Sequence, residues 1–162
     1  MLSSTTHLVA ACTAAVTGGV YLAFSAMVMP ALRSRPAADA IVTMQHVNAQ
    51  AVRAPFMLVF FSGAAAAVAV VVVEVTRVRT DGALGVGTAI VAAGAVLALA
   101  SLVVTVAYDV PRNDVVAMLD PASVADQTRW LSVAREWTTA NSLRGGLSVL
   151  GAALLGSRVL LP

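Results

Sequence analysis

The chain has 162 residues, 59% hydrophobic and only 11% charged, with a mean hydropathy of +0.89 and a formal net charge of +2 in which all ten basic side chains are arginine. A soluble domain carries about 25% charged residues, so this composition excludes a water-facing globular fold, and its thinly scattered basicity excludes a nucleic-acid partner. Cys12 is the only cysteine, which excludes an intrachain disulfide and a cysteine-based metal cluster, and two histidines, His7 and His46, leave little with which to hold zinc or haem. No metal and no cofactor is therefore expected.

The first apolar run is Leu8 to Met29. It lacks the basic flank of a signal peptide and exceeds the length of a signal's apolar region, so an uncleaved anchor is expected. Pro36 suits a helix start, and "PAADAIVTMQHVNAQAVRAP" is expected to stay helical as far as Pro55. On that helix Ile41, Met44, Asn48, Val52 and Pro55 share one stripe, and His46, Gln50 and Arg53 form a second. The second apolar run is Ala54 to Val73, and Glu74 to Asp81 reads as a short polar turn. The third run is Gly82 to Tyr108. Asp109 and Asp120 are expected helix N-caps, with Pro111 and Pro121 in the opening turns. From Pro121 an amphipathic helix leads into a fourth run, roughly Ser142 to Leu161.

A membrane helix needs about 20 apolar residues, and lipid forces each such run into a helix. The expected fold is an all-α membrane protein, a four-transmembrane-helix bundle forming a single domain over residues 1–162, with two helical connections packed at one end. Small residues at helical spacing, Gly94 and Ala98 in the third run and Ser148, Ala152 and Gly156 in the fourth, are read as helix-packing positions.

In a four-span chain the first and third connections lie on one side, which gathers His46, Asn48 and Arg53 with Asn113, Trp137, Asn141 and Arg144. Trp130, Trp137 and Arg144 are spaced by seven residues, and Asn141 lies four beyond Trp137, so one helix face carries all four. Tryptophan at an interface and arginine near a helix end are commonly an anchor and a snorkelling cation. Against that, only 13 uncharged residues separate Arg144 from Arg158, about 20 Å of helix, so Arg144 falls inside the fourth span or at its edge. Arginine at depth is costly and usually faces a polar partner. The long connections hold seven arginines against three at the other end. If Arg53, Arg135 and Arg144 face inward, four remain against three, and the positive-inside rule gives no orientation.

Three elements, "MQHVNAQAVRAPFM" (Met44 to Met57), "YDVPRND" (Tyr108 to Asp114) and "REWTTANSLRGGLSVLGAALL" (Arg135 to Leu155), resemble the anthrone-oxygenase-like family of small four-span membrane proteins. The pattern is an asparagine before a proline ahead of the second span, proline–x–asparagine after the third, and tryptophan–x3–asparagine–x2–arginine opening the fourth. Asn48, Pro55, Pro111, Asn113, Trp137, Asn141 and Arg144 match it. The resemblance implies a multi-pass protein of a bacterial cytoplasmic membrane that oxidises a phenolic polycyclic aromatic, anthrone to anthraquinone, with O2 and no cofactor. Such chemistry needs a base, donors for the resulting anion, a flat apolar slot and exclusion of water. His46, Asn48, Asn141 and Arg144 are the candidates for catalysis. Arg53, Tyr108, Asn113, Trp130 and Trp137 are the candidates for substrate binding. The plainer readings are a solvated loop histidine at His46 and asparagines that cap helices or tie the connections together. A non-catalytic membrane protein binding a hydrophobic aromatic or lipid ligand, or a subunit of a membrane complex or homo-oligomer, would need less of this apparatus.

Overall fold

The computed structural model describes residues 2–160 and is helical almost throughout. Helix α1 (Leu2–Ala23) passes through a π-helical turn (Phe24–Val28) into the short α2 (Met29–Arg33). Helix α3 (Ala37–Ala51) follows, and then the long α4 (Phe56–Asp81). Helix α5 (Val86–Val104) passes through a second π-helical turn (Thr105–Asp109) into α6 (Val110–Met118), and α7 (Val124–Leu160) ends the described chain.

Among the described residues three stretches are long and apolar enough to cross a membrane: Ser4–Arg33, Phe56–Asp81 and Val86–Met118. Their outer faces carry exposed apolar side chains such as Leu58, Phe61, Val72, Val103 and Val106. A water-soluble monomer rarely exposes so continuous an apolar surface, so the fold is an all-α membrane bundle. Helix α7, at 37 residues the longest, packs along both α1 and α5, while α4 packs on α1 and α5 from the other side. The expected fourth run ends at Leu161, which lies outside the described residues.

Glycine and alanine bring these helices together. A Cβ added to Gly94 would lie 2.9 Å from the Gly151 carbonyl and the Leu155 nitrogen, and one added to Gly151 would lie 2.8 Å from the Gly94 carbonyl. At this crossing α5 and α7 touch backbone to backbone, the close approach small residues allow. Gly94 behaves as its spacing suggests. Its partner is Gly151, whereas Gly156, also read as a packing position, has open space where a Cβ would stand.

Three boundaries differ from the sequence expectation. The segment Glu74 to Asp81 is no polar turn: α4 continues to Asp81, the turn begins at Gly82 in the left-handed region (φ 71°), and Glu74 is buried. His7 of α1 meets it, with Nε2 2.9 Å from Glu74 Oε1, and Arg77 lies 3.4 Å from both carboxylate oxygens. Helix α3 ends at Ala51, so Val52 and Pro55 leave the Ile41–Met44 stripe and are exposed. Asp109 makes no side-chain capping bond. Asp120 accepts from the Ala122 amide within a turn, and the first turn of α7 is bonded by Ser123 instead, whose hydroxyl accepts from the Asp126 amide.

The two long connections do pack together. Met29, Leu32, Ile41, Met44, Val116, Leu119, Trp130, Val133 and Trp137 form one buried apolar core. Gln45 of α3 donates to the Val116 and Leu119 carbonyls at 3.0 and 2.9 Å, satisfying acceptors that the end of α6 would otherwise leave open. A second core, built on Ala10, Val70, Val91, Ala95 and Leu155, fills the other half of the bundle.

Two outcomes follow for stability in detergent. Gly94→Leu and Gly151→Leu should each cost about 1–3 kcal/mol through overpacking, seen as a lowered thermal midpoint, whereas Gly156→Leu should leave the midpoint near wild type. Glu74→Ala removes the carboxylate partner of buried His7 and should cost about 3–5 kcal/mol, while the double replacement His7→Phe with Glu74→Leu should recover much of that loss; equal midpoints for the single and double variants would show the pair to be unimportant.

Candidate functional site

Arg144 points into the bundle. Its Nε and one terminal nitrogen donate to Asn141 Oδ1 at 3.0 and 2.7 Å, and the other terminal nitrogen donates to Thr105 Oγ1 at 3.1 Å. Nε also lies 3.3 Å from Asp109 Oδ2. The guanidinium is stacked over the Tyr21 ring at 3.9 Å and lies 5.8 Å from the Trp137 ring. Three elements, α1, the Thr105–Asp109 turn and α7, thus meet around one cation, the arrangement expected when a charge must be held out of water. The snorkelling alternative is not what this side chain does.

The partners of Arg144 are fixed in turn. Asn141 Nδ2 donates to the Tyr21 carbonyl at 2.6 Å and to Ser25 Oγ at 2.8 Å, so the Asn141 oxygen is left for Arg144. Ser148 donates to Ser101, which donates to the Arg144 carbonyl, at 2.8 and 2.9 Å. This chain of hydroxyls stitches α5 to α7 below the cluster.

The π turns decide which side chains reach it. In an uninterrupted α-helix Tyr108, seven residues after buried Ser101, would face inward. The Thr105–Asp109 turn takes up one extra residue, so the inward place passes to Asp109, which is fully buried, and Tyr108 turns outward at 54% exposure. The same shift operates on the first helix. There the position seven after Tyr21 is Val28, and the fully buried residue is Met29. Asp109 is the unusual member of the cluster. Neither of its oxygens receives a hydrogen bond from the described residues, although both are buried.

The structure brings together part of the expected set. Asn141, Arg144 and Trp137 share the buried face of α7, with Trp130 deeper in the connection core. Asn113 accepts a 2.9 Å bond from Trp137 Nε1 and so ties α6 to α7. Asn48 is half-buried, and its Nδ2 has no hydrogen-bond partner among the described residues. His46 and Arg53 are exposed on the outer stripe of α3 and the following loop, and Tyr108 is exposed under the Arg112 guanidinium at 4.7 Å. Arg135, expected to face inward, is exposed and donates to the Leu131 carbonyl.

Sequence reasoning missed Tyr21, Ser25, Thr105 and Asp109. The signal for Asp109 was weak, a lone acid at the end of an apolar run next to a proline, which reads first as a helix cap. Tyr21 had one available signal: it is the only aromatic residue with a polar tip in an otherwise apolar first run.

Beside the cluster, a small cavity of about 30 Å³ is walled by Tyr21, Phe60 and Ser148, among others. It has room for one small molecule and not for a polycyclic aromatic. Aromatic rings continue outward from Tyr21, with Phe56 edge-on at 6.3 Å and Phe60 next at 6.4 Å from Phe56. Among the described residues no group of three histidine, cysteine or acidic side chains is placed to hold a metal ion.

Residues 56–154 match the family model described as anthrone oxygenase. No curated protein and no solved structure matches the chain. The matched span contains Asp109, Asn113, Trp137, Asn141 and Arg144, and Tyr21, His46, Asn48 and Arg53 fall before it. It covers more than half of a chain whose buried arginine, asparagine and tryptophan lie within it, and the protein belongs to the anthrone oxygenase family.

Proposed function

We propose that the protein is a multi-pass membrane oxygenase that converts the methylene of a phenolic polycyclic aromatic of the anthrone type to a carbonyl with O2, and that α7 supplies the fourth span. The observation that carries this reading is the buried Arg144, whose planar cation lies face-on to an aromatic ring at 3.9 Å and edge-on to Asn141 and Thr105. That geometry suits a flat, oxygen-bearing anion. The Tyr21 ring sits where a substrate ring would sit, and binding would swing it aside toward the Phe56 and Phe60 rings.

Loss of a proton from the methylene gives a carbanion delocalised onto the ring oxygens, where Arg144 and Asn141 stabilise the charge. The carbanion and O2 form a carbon–oxygen bond, and the peroxide takes up a proton to become a hydroperoxide. Removal of the second methylene proton then breaks the oxygen–oxygen bond, leaving the carbonyl and one water. Asp109 suits the proton-accepting role better than His46 does. It has two buried oxygens without hydrogen-bond donors within reach of Arg144, whereas His46 is exposed on α3. Asn48 and Trp137 would border the slot from the connection side.

Only Arg144 of the three arginines set aside from the charge count faces inward, so six arginines count at the connection end against three at the other. That balance supports placing the connections in the cytoplasm.

Membranes containing the intact protein should consume O2 and form anthraquinone from an added anthrone. Arg144→Ala should lower kcat/KM by about 100-fold or more at matched protein level, and Arg144→Lys should restore little, because a point charge does not reproduce the planar fork. Equal loss of folded protein and of activity would make Arg144 structural. Anthrone binding without turnover in the intact protein would favour the reading of a non-catalytic binder of hydrophobic aromatics.

A further inference from the structure

The cavity of about 30 Å³ lies among α1, α4, α5 and α7, and the reaction just described leaves it without a role. Its walls are mostly apolar, with Ala14, Phe60, Ala64, Ala98 and Leu102 among them. Three of the hydroxyls that line it already donate elsewhere: Thr17 to the Thr13 carbonyl at 2.9 Å, Ser148 to Ser101, and Ser101 to the Arg144 carbonyl. A buried water needs about two to four polar partners, and this space offers water few donors. A small apolar molecule meets no such demand.

Position adds a second argument. Tyr21 is shared: one side of the site is its ring beneath Arg144, and the same residue walls the cavity. Ala64 and Leu102 are only partly buried, on the apolar flank that faces lipid. Dioxygen is apolar and concentrates in hydrocarbon relative to water, so it would reach this space from the bilayer and not through the polar connections.

We propose that this cavity is a binding pocket for molecular oxygen, holding it one aromatic ring away from the Arg144 cluster on the membrane side. The assignment rests on the oxygenase reading for its ligand and on the cavity's size, lining and position for its site. Ala64 and Ala98 keep the pocket open, because a larger side chain at either position would project into it. O2 waits there as the substrate anion forms, and displacement of Tyr21 joins the two spaces.

Xenon is the direct probe, since it occupies small dry cavities and requires no turnover. Crystals of the full-length protein under xenon pressure should show one atom among Tyr21, Ala64 and Ala98, and Ala98→Leu should abolish it. An ordered water in that place, or xenon only elsewhere, overturns the pocket. In steady-state assays on the intact membrane protein, Ala64→Leu and Ala98→Leu should each raise KM for O2 roughly tenfold, about the loss of one modest binding contact, with KM for the anthrone unchanged. An unchanged KM for O2 in both variants, with thermal midpoints near wild type, also overturns it. Should the intact protein oxidise no anthrone, the oxygenase reading falls and the xenon experiment alone decides the pocket.

Discussion

A guanidinium cannot sit inside an apolar bundle without partners, and most of the polar architecture at one end of this protein exists around that constraint. Arg144 is only 8% exposed. Leaving an arginine at such depth uncompensated costs several kcal/mol, and the chain supplies an amide oxygen, a hydroxyl oxygen, a carboxylate and an aromatic face from two helices and a π turn. Asn141 and Thr105 are themselves held by further bonds, to Tyr21 and Ser25 and to the Ser101 carbonyl, which keeps the cation in one geometry.

The connections contribute rigidity more than chemistry. Trp130 and Trp137 are buried in a core shared by α2, α3, α6 and α7, and Gln45 and Asn113 fasten α3 to α6 and α6 to α7. Through Trp137 the same core approaches the Arg144 guanidinium. The site is therefore braced from the connection side by a packed apolar layer, while its membrane side is lined by small residues and a small void.

Polar burial at the opposite end has a different character. His7, Glu74 and Arg77 join α1 to α4 near the end of α4, alongside an open groove lined by Glu74, Val78 and Leu84. There the acid has both a hydrogen-bonded histidine and a nearby arginine. At the Arg144 end the acid has a cation and, among the described residues, no hydrogen bond, and the surplus acceptor capacity lies where an aromatic ring also lies.

Composition alone determined that the chain lives in a membrane, because 11% charged residues cannot cover a bundle of this size with a polar surface. Hydrophobic runs located the helices, and the seven-residue spacing of Trp130, Trp137 and Arg144 fixed the buried face of α7, since periodicity is a local property of a helix. The cation's partners were not legible, because they come from helices distant in sequence. Nor was the identity of the inward acid. Two π turns rotate the helix faces by one residue, and nothing in the residue types around Phe24 or Thr105 announces them. Only the packed tertiary structure showed that Asp109 faces inward in place of Tyr108, that His46 stands outside, and that Tyr21, an unremarked tyrosine in the first span, lies at the centre of the site.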